Sequence, residues 1–269
     1  MWTRSDLKNR AKANLNDKYW PAFIVILIII GIEIVVGALS FIPFISLLVM
    51  PVISVGVVRW YSRNREAAVT PAVDIVFSLF KDNNYGRTLG GMLWMYLFLF
   101  LWGLLASVPV SIGFSLFFIG ILTNSLNQSG GSFKNFDFRD FNSSLMGDQF
   151  IIIAFILAMA AILLAIPAII KGYSYRMTPW ILADNPKIGY QRALKLSIAL
   201  TRGQKMNIFV LDLSFIGWGL LCLLTCGIGY LFLAPYYYAT QAELYAVIRQ
   251  NGGESGLCTM EELGYSRAN

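Results

Sequence analysis

The chain has 269 residues, of which 57% are hydrophobic and only 13% are charged, and its formal net charge is +6. A soluble domain carries about 25% charged residues, and a water-soluble core could not hide this much apolar surface. The composition therefore argues against a single soluble domain and predicts an all-α, polytopic membrane protein.

Six apolar blocks, each nearly free of charge, follow one another along the chain. Several reach the roughly 17–25 residues that a membrane-spanning helix requires. The last one continues to residue 248 with Glu243 as its one charge. No small-x-small cleavage pattern follows the first block, so we expect a span there and not a signal peptide. The pattern predicts about six transmembrane helices, over residues 21–39, 44–58, 89–108, 150–170, 208–224 and 228–238.

The third block is too long for one straight span if it is read through residue 122. Pro109 and Gly113 interrupt it. Three alternatives stay open for residues 114–122: they re-enter the membrane, lie on its outer surface, or extend the helix outward. A seventh span is a further possibility, but it would reverse every later segment and spoil the sorting of basic residues.

The basic residues predict the topology. If the N-terminus is cytoplasmic and six spans follow, then of the 21 Lys and Arg only Lys134 and Arg139 fall on the outer side. This is the positive-inside pattern, and it predicts a multi-pass protein of the cell membrane with both termini in the cytoplasm. The positive charge also adds attraction to anionic membrane lipids, and it needs no nucleic acid as a partner to explain it.

Short sequences recur at one offset of 116 residues. PVISVG at 51–56 returns as PAIIKG at 167–172, and WGLL at 102–105 returns at 218–221. The likeness extends to three units that all start and end in the cytoplasm, so we expect parallel repeats about an axis along the membrane normal. The predicted units are residues 3–63, 71–178 and 187–249. The alternative is a plain six-span bundle with accidental likeness.

The second span of each unit contains a proline, which frees a backbone carbonyl and usually kinks a helix. The expected kinks lie at Pro51, Pro167 and Pro235. Together the units form one integral membrane domain over residues 1–249, and residues 250–269 form a cytoplasmic tail.

Each unit begins with a segment whose polar residues share one helical face, in SDLKNRAKANLND, AVDIVFSLFKD and KIGYQRALKLSIALTRG. Thr3 and Asp6 have the spacing of a capping box at the start of the first segment. Amphipathic helices of this kind lie in the membrane interface with the apolar face toward lipid. We therefore expect three cytoplasmic interfacial helices.

Asp212 lies inside an apolar block, where an ionised carboxylate is costly. It follows the start of that block by about four residues, or roughly 6 Å of helix. This shallow depth predicts a structural ion pair with a basic residue of the preceding cytoplasmic segment. The candidate partners are Lys205, Arg176 and Lys171. The alternative is a contact to an ion or a substrate.

Glu243 belongs to a polar stripe in the last block. If the three kinked helices surround one axis, the less apolar cytoplasmic halves line a cavity open to the cytoplasm. The candidate contacts for a ligand in that cavity are Glu243, Gln241, Thr240, Tyr237 and Lys171. An interfacial aromatic belt is the alternative explanation for the tyrosines, and the role of Glu33 stays open.

The chain contains no histidine, which excludes a Cys/His zinc site. Cys222 and Cys226 are predicted to be small packing residues. The sequence shows no nucleotide loop, no metal cluster and no serine–histidine pairing. We therefore expect no metal, no cofactor and no enzymatic activity.

Several stretches carry a family resemblance: WTRSDLKNRAKANL, YSYRMTPWILADNP, ALKLSIALTRGQK and LDLSFIGWGLL. They resemble the Domain of Unknown Function 975 family of bacterial, mainly Gram-positive, membrane proteins, over residues 1 to about 249. The resemblance implies an integral membrane protein of the bacterial cell envelope. It implies no activity and no substrate.

Two classes of function fit these patterns. The first is a non-catalytic membrane protein whose cavity binds a lipid or a peptide, or which partners an exporter. The second is a small transporter or channel that conducts along the repeat axis past Glu33 and Glu243. A dry, closed axis favours the first class and a continuous polar path favours the second. An intramembrane enzyme is the distant alternative.

The topology is testable by labelling. Single cysteines that replace Lys195 and Arg139 in a cysteine-free background should react differently with an impermeant thiol reagent on intact cells. We expect labelling at position 139 and protection at position 195, because the six-span topology puts them on opposite sides. External labelling of position 195 would overturn it.

Overall fold

The computed structural model describes residues 2–39, 41–42, 44–81, 83–128 and 148–265. Within these ranges it contains ten α-helices, two short 3-10 helices and no strand. The α-helices are α1 (Arg4–Leu15), α2 (Tyr19–Ala38), α3 (Ile45–Glu66), α4 (Ser78–Lys81), α5 (Tyr85–Gln128), α6 (Asp148–Tyr175), α7 (Thr178–Asp184), α8 (Tyr190–Leu200), α9 (Lys205–Leu224) and α10 (Gly229–Glu254). The 3-10 helices are Val73–Phe77 and Pro186–Ile188.

Five helical runs of the described residues are long and apolar enough to cross a membrane: Tyr19–Ala38, Ile45–Glu66, Tyr85–Ile119, Ile152–Asp184 and Lys205–Leu224. The predicted sixth span corresponds to α10, which is not among them. The second half of α10 is polar at several positions and is mostly buried against other helices. Six spans are therefore not confirmed.

The helix α1 begins where the sequence predicts a cap. The Thr3 hydroxyl accepts a hydrogen bond from the Asp6 backbone N–H at 3.2 Å and satisfies one free donor of the first turn. The apolar residues Leu7, Ala11 and Leu15 were expected to face lipid, but they are at most 5% exposed inside the protein. Their four-residue spacing puts them on one face, which packs on α10. The interfacial placement of this helix is not confirmed.

Packing divides the chain into two compact units, Met1–Tyr96 with Tyr173–Asn269, and Leu97–Gly172. In the first unit α10 is the central helix, because it contacts α1, α2, α3, α8 and α9. Aromatic side chains fill the space around it. Tyr61 stacks on Tyr238 with ring centroids 5.2 Å apart, and Trp180 stacks on Tyr245 at 5.5 Å. The core of this unit is therefore built around one helix.

The second unit consists of parts of α5 and α6. The helix α5 has 44 residues, or about 66 Å at 1.5 Å per residue, and it continues through Pro109 and Gly113 without a break. Residues 114–122 therefore extend this helix, which is one of the three predicted alternatives. Large apolar side chains of this unit are exposed, as at Phe114 (70%) and Phe155 (67%). Exposure on this scale fits contact with hydrocarbon better than contact with water.

The three predicted kink prolines all lie inside α-helices: Pro51 in α3, Pro167 in α6 and Pro235 in α10. Bends at these positions, like the threefold repeat, stay predictions. Lys134 and Arg139, which carry the topology argument for the outer side, lie outside the described residues.

The predicted tail over residues 250–269 begins inside α10, and its described part folds back on the first unit. Arg192 forms an ion pair with Glu262 at 2.6 Å and donates a second bond to the Leu257 carbonyl at 3.0 Å. The hydrogen bond from Arg192 lowers the pKa of the Glu262 carboxyl below its ordinary range. Leu263 is fully buried. The tail therefore belongs to the packed structure as far as Tyr265.

Gly56 of α3 packs directly against the backbone of the 3-10 helix Val73–Phe77. A Cβ atom at this position would lie 1.9 Å from the backbone oxygen of Val76. We therefore expect Gly56→Ala to lower the free energy of unfolding in detergent by about 1–3 kcal/mol, the usual range for overpacking.

Gly31→Ala in α2 is the matched control, since no atom lies within 4 Å of its Cβ position. Alanine is the better helix former by up to about 1 kcal/mol, so this variant should be as stable as the parent or more stable. Equal stability of the two variants in a denaturant titration would contradict the packing of α3 on the 3-10 helix.

Candidate functional site

A tight turn holds α9 and α10 side by side. Its residues Cys226 and Gly227 adopt positive φ angles of 51° and 87°, a region that favours glycine. Gly229 follows, and a Cβ atom there would lie 2.9 Å from the Cα atom of Cys222. Glycine at this position therefore lets the two helices turn back on each other closely enough to form one continuous surface.

Asp212 of α9 lies at the centre of a polar cluster, which we call the Asp212 cluster. Arg176 approaches its carboxylate with both terminal nitrogens, with 2.8 Å between Nη2 and Oδ1. The Tyr173 hydroxyl donates to Oδ2 at 3.1 Å, and the Tyr237 hydroxyl donates to Oδ1 at 3.3 Å. The Gln241 amide lies 3.4 Å from the same oxygen. Three helical segments thus meet at one carboxylate.

The Asp212 cluster is neutral and only partly shielded. Arg176 and Asp212 carry opposite unit charges, and their side chains are 20% and 22% exposed. Arg176 also donates to the Tyr237 hydroxyl at 2.6 Å. Two-point contacts of this kind between arginine and a carboxylate are strong and geometrically specific. The cluster therefore combines an ion pair with two tyrosine hydroxyls.

Neither predicted lysine takes the place of Arg176. Lys205 begins α9, roughly 10 Å of helix before Asp212, and among the described residues Arg176 is the cation within ion-pair distance of that carboxylate. Lys171 lies in the second unit, where its Nζ atom is 5.0 Å from the centre of the Trp102 ring. Of the three candidate partners, Arg176 thus makes the contact.

A groove of about 530 Å³ runs between α9 and α10 from the Asp212 cluster, and we call it the Asp212 groove. Asp212 and Tyr237 line one end, and Leu223 and Tyr230 line the other. Aliphatic and aromatic side chains line most of the rest: Phe215, Ile216, Leu220, Leu233 and Ala234, with Gly219 between them. The groove is therefore apolar along its length with a polar end.

The predicted polar stripe of α10 divides between different partners. Tyr237 and Gln241 join the Asp212 cluster. Glu243 is 5% exposed, and its Oε2 atom lies 3.1 Å from the Nε atom of Arg65. Thr240 is buried and donates to the backbone oxygen of Tyr236 at 2.8 Å. That these residues contact a ligand stays a prediction. Among them, Tyr237 lines a groove, which also contains Asp212.

A second polar cluster surrounds Arg249, and sequence reasoning missed it. The Arg249 guanidinium bonds Glu66 at 2.7 Å and Asp184 at 3.1 Å, and it also donates to the Tyr265 hydroxyl. Tyr245 donates to Asp184 at 2.7 Å. The one available signal was the acid in the ADNP stretch, Asp184, because a charge beside apolar residues needs a partner. This Arg249 cluster ties α3, α7, α10 and the tail together.

The structure offers little to a metal ion. In the described ranges no three His, Cys, Asp or Glu side chains come close enough to hold one. Cys222, Cys226 and Cys258 are free thiols, and Glu33 is exposed on α2. What the first unit does offer is an apolar groove with a neutral polar end.

The ion pair of the Asp212 cluster makes a measurable prediction. Asp212→Ala leaves Arg176 partly buried without its counterion, so it should lower the free energy of unfolding in detergent. The loss should exceed the roughly 1 kcal/mol of an exposed pair and approach the roughly 3–5 kcal/mol of a buried one. Asp212→Asn should fall between Asp212→Ala and the parent.

A double-mutant cycle with Arg176→Met separates the pair from other contacts of each residue. Arg10→Met is the control, because Arg10 pairs with Asp6 on the exposed surface of α1, and its loss should cost under about 1 kcal/mol. A coupling energy near zero between positions 176 and 212 would show that the pair does not stabilise the fold.

Comparison with known proteins leaves one assignment. No curated protein and no solved structure matches the chain. The family model described as "Protein of unknown function (DUF975)" matches residues 1–252, and it therefore covers every described helix except the last two residues of α10. The chain belongs to the DUF975 family of proteins of unknown function.

Proposed function

We propose that this protein is a non-catalytic, multi-pass membrane protein of the bacterial envelope that binds the hydrocarbon chain of a lipid in the Asp212 groove. The observation that carries the proposal is the groove itself, which is apolar along its length and polar at one end. Sites for small molecules have this character: mostly apolar walls with a few polar groups that fix the orientation.

Membrane insertion is supported by five helical runs that are long and apolar enough to span a bilayer. Their outward surfaces carry large apolar side chains, such as Trp218 (58% exposed) and Leu224 (81% exposed) on α9. Hydrocarbon solvates such surfaces without the penalty that water imposes. Within the proposal both termini lie in the cytoplasm, as the distribution of basic residues predicts.

The dimensions of the groove favour an acyl chain over a helical peptide. Its volume is about 530 Å³, which lies within the roughly 300–1,000 Å³ of small-molecule sites. Two turns of an α-helix, about 10 Å across and 11 Å long, fill roughly 850 Å³. A single hydrocarbon chain fits such a groove, whereas a helix would only rest on its rim.

A transporter or channel is the weaker proposal. Conduction along the repeat axis would use Glu243 as a group exposed to a polar path. Glu243 is instead buried and lies beside Arg65, and Arg249 engages both Glu66 and Asp184. Acids compensated in this way favour a closed, binding protein.

Native mass spectrometry of the purified protein in detergent tests the proposal. We expect lipid to co-purify with the parent, and Leu220→Trp to reduce the bound fraction severalfold, because the larger ring fills the groove. Ala234→Phe should act in the same way from the α10 side.

Leu221→Trp is the matched control, because Leu221 is 55% exposed on α9 but does not line the groove. It should leave the bound lipid unchanged. Equal lipid content in the Leu220→Trp and Leu221→Trp proteins would show that the lipid is a general annulus and that the groove binds nothing.

A further inference from the structure

The groups at the polar end of the groove limit which head group its occupant can have, provided that the proposed lipid site is correct. We infer that the Asp212 groove takes a single-chain amphiphile whose head is an uncharged hydroxyl, as in a long-chain alcohol, and that it disfavours carboxylate and phosphate heads.

The first observation is which groups face the groove. Asp212 is the charged residue among those that line it, and the neutral hydroxyl of Tyr237 lies beside it. Arg176, which compensates Asp212, is not among the lining residues. An anionic head that entered the groove would therefore meet a carboxylate before it met the guanidinium, and like charges repel most strongly where water is scarce.

The second observation is the Tyr237 hydroxyl, which lines the groove beside Asp212. It donates to Oδ1 of Asp212 at 3.3 Å and accepts from Nη2 of Arg176 at 2.6 Å. Asp212 and Tyr237 therefore both present oxygen acceptors at this end of the groove. A head that donates a hydrogen bond suits these acceptors.

The third observation is the balance of charge. The ion pair of Arg176 and Asp212 is complete without a ligand, with two contacts between the groups. A cationic head would leave this end of the groove with a net positive charge, and an anionic head would leave it net negative. The polar end lies roughly 10 Å along α9 from Lys205, within an apolar part of the helix. An unpaired charge of either sign is costly there. A neutral hydroxyl donates a hydrogen bond without that cost.

The length of the groove fits one chain. Eleven helical positions separate Asp212 from Leu223 at the far end, which is about 16 Å along the axis. Half of the roughly 30 Å hydrocarbon core has nearly the same depth. The groove thus accommodates an extended alkyl chain that begins at the Asp212 cluster and is about as long as one leaflet is thick.

Binding of four probes with the same alkyl chain tests the inference: hexadecan-1-ol, hexadecanoate, hexadecyl phosphate and hexadecylamine. Each is titrated at pH 8 into the purified, delipidated protein in detergent and followed by native mass spectrometry. We expect the alcohol to bind at least tenfold more tightly than the two anions and more tightly than the amine. A tighter-binding anion or amine would overturn the inference.

Two variants probe the polar end. Asp212→Asn removes the carboxylate and leaves the Arg176 charge uncompensated, so it should shift the preference from the alcohol toward hexadecanoate. Tyr237→Phe removes the hydroxyl that lines the groove and should weaken the alcohol severalfold while hexadecanoate changes little. The second variant keeps the test decisive if Asp212→Asn does not fold. Unchanged preferences in a folded Tyr237→Phe protein would count against the inference.

Leu220→Trp distinguishes failure of the inference from failure of the proposed function. If all four probes bind equally and Leu220→Trp weakens the binding of each, the groove binds alkyl chains regardless of the head group. The inference alone is then wrong. If Leu220→Trp changes none of them, the groove is not the binding site, and the proposed function is wrong as well.

Discussion

The structure depends on the pairing of charges that lie against apolar helices. Hydrocarbon offers no water to solvate an ionised side chain, so each such group needs a partner from another part of the chain. Around α10 this requirement is met three times: Asp212 pairs with Arg176, Glu243 lies beside Arg65, and Arg249 bonds Asp184 and Glu66. Each pair joins segments that are distant in sequence. The charges therefore act as specific contacts between segments that are not neighbours in sequence.

This arrangement explains why α10 is central. Its second half is too polar to face lipid and is buried by α1, α3 and α8. Leu7 and Ala11 of α1 are fully buried in this packing, while Lys8 donates to the Ser214 carbonyl at 3.2 Å and lies 4.3 Å from the centre of the Phe215 ring. The ammonium group of Lys8 thus satisfies a helix carbonyl and also lies over an aromatic ring, a favourable cation–π position. The N-terminal helix is held by protein contacts as well as by its charge.

The same pairing shapes the groove between α9 and α10. Apart from the Asp212 cluster, mostly aliphatic and aromatic side chains of the two helices line the groove. The cluster closes one end with Asp212 and Tyr237, and the tight turn at Gly227 and Gly229 holds the other ends of the helices together. The space between these two constraints is the groove. Its chemistry, apolar walls and a neutral polar end, follows from how the helices are held.

Local sequence determined the helices. Three features can be predicted from local sequence, because they depend only on neighbours in the chain. They are the apolar blocks of span length, the capping pair of Thr3 and Asp6, and the prolines within apolar runs. The need of Asp212 for a nearby cation was readable for the same reason.

Tertiary structure decided which partners meet. Arg176 and Asp212 are separated by 36 residues, and Glu66 and Arg249 by 183. Sequence periodicity carries no information on contacts at such separations. It therefore could not show that Asp212 pairs with Arg176 and not Lys205, that Glu243 of the polar stripe lies beside Arg65, or that Tyr237 bonds Asp212. It also could not distinguish an α1 that packs on protein from one that lies on lipid, because both environments are apolar.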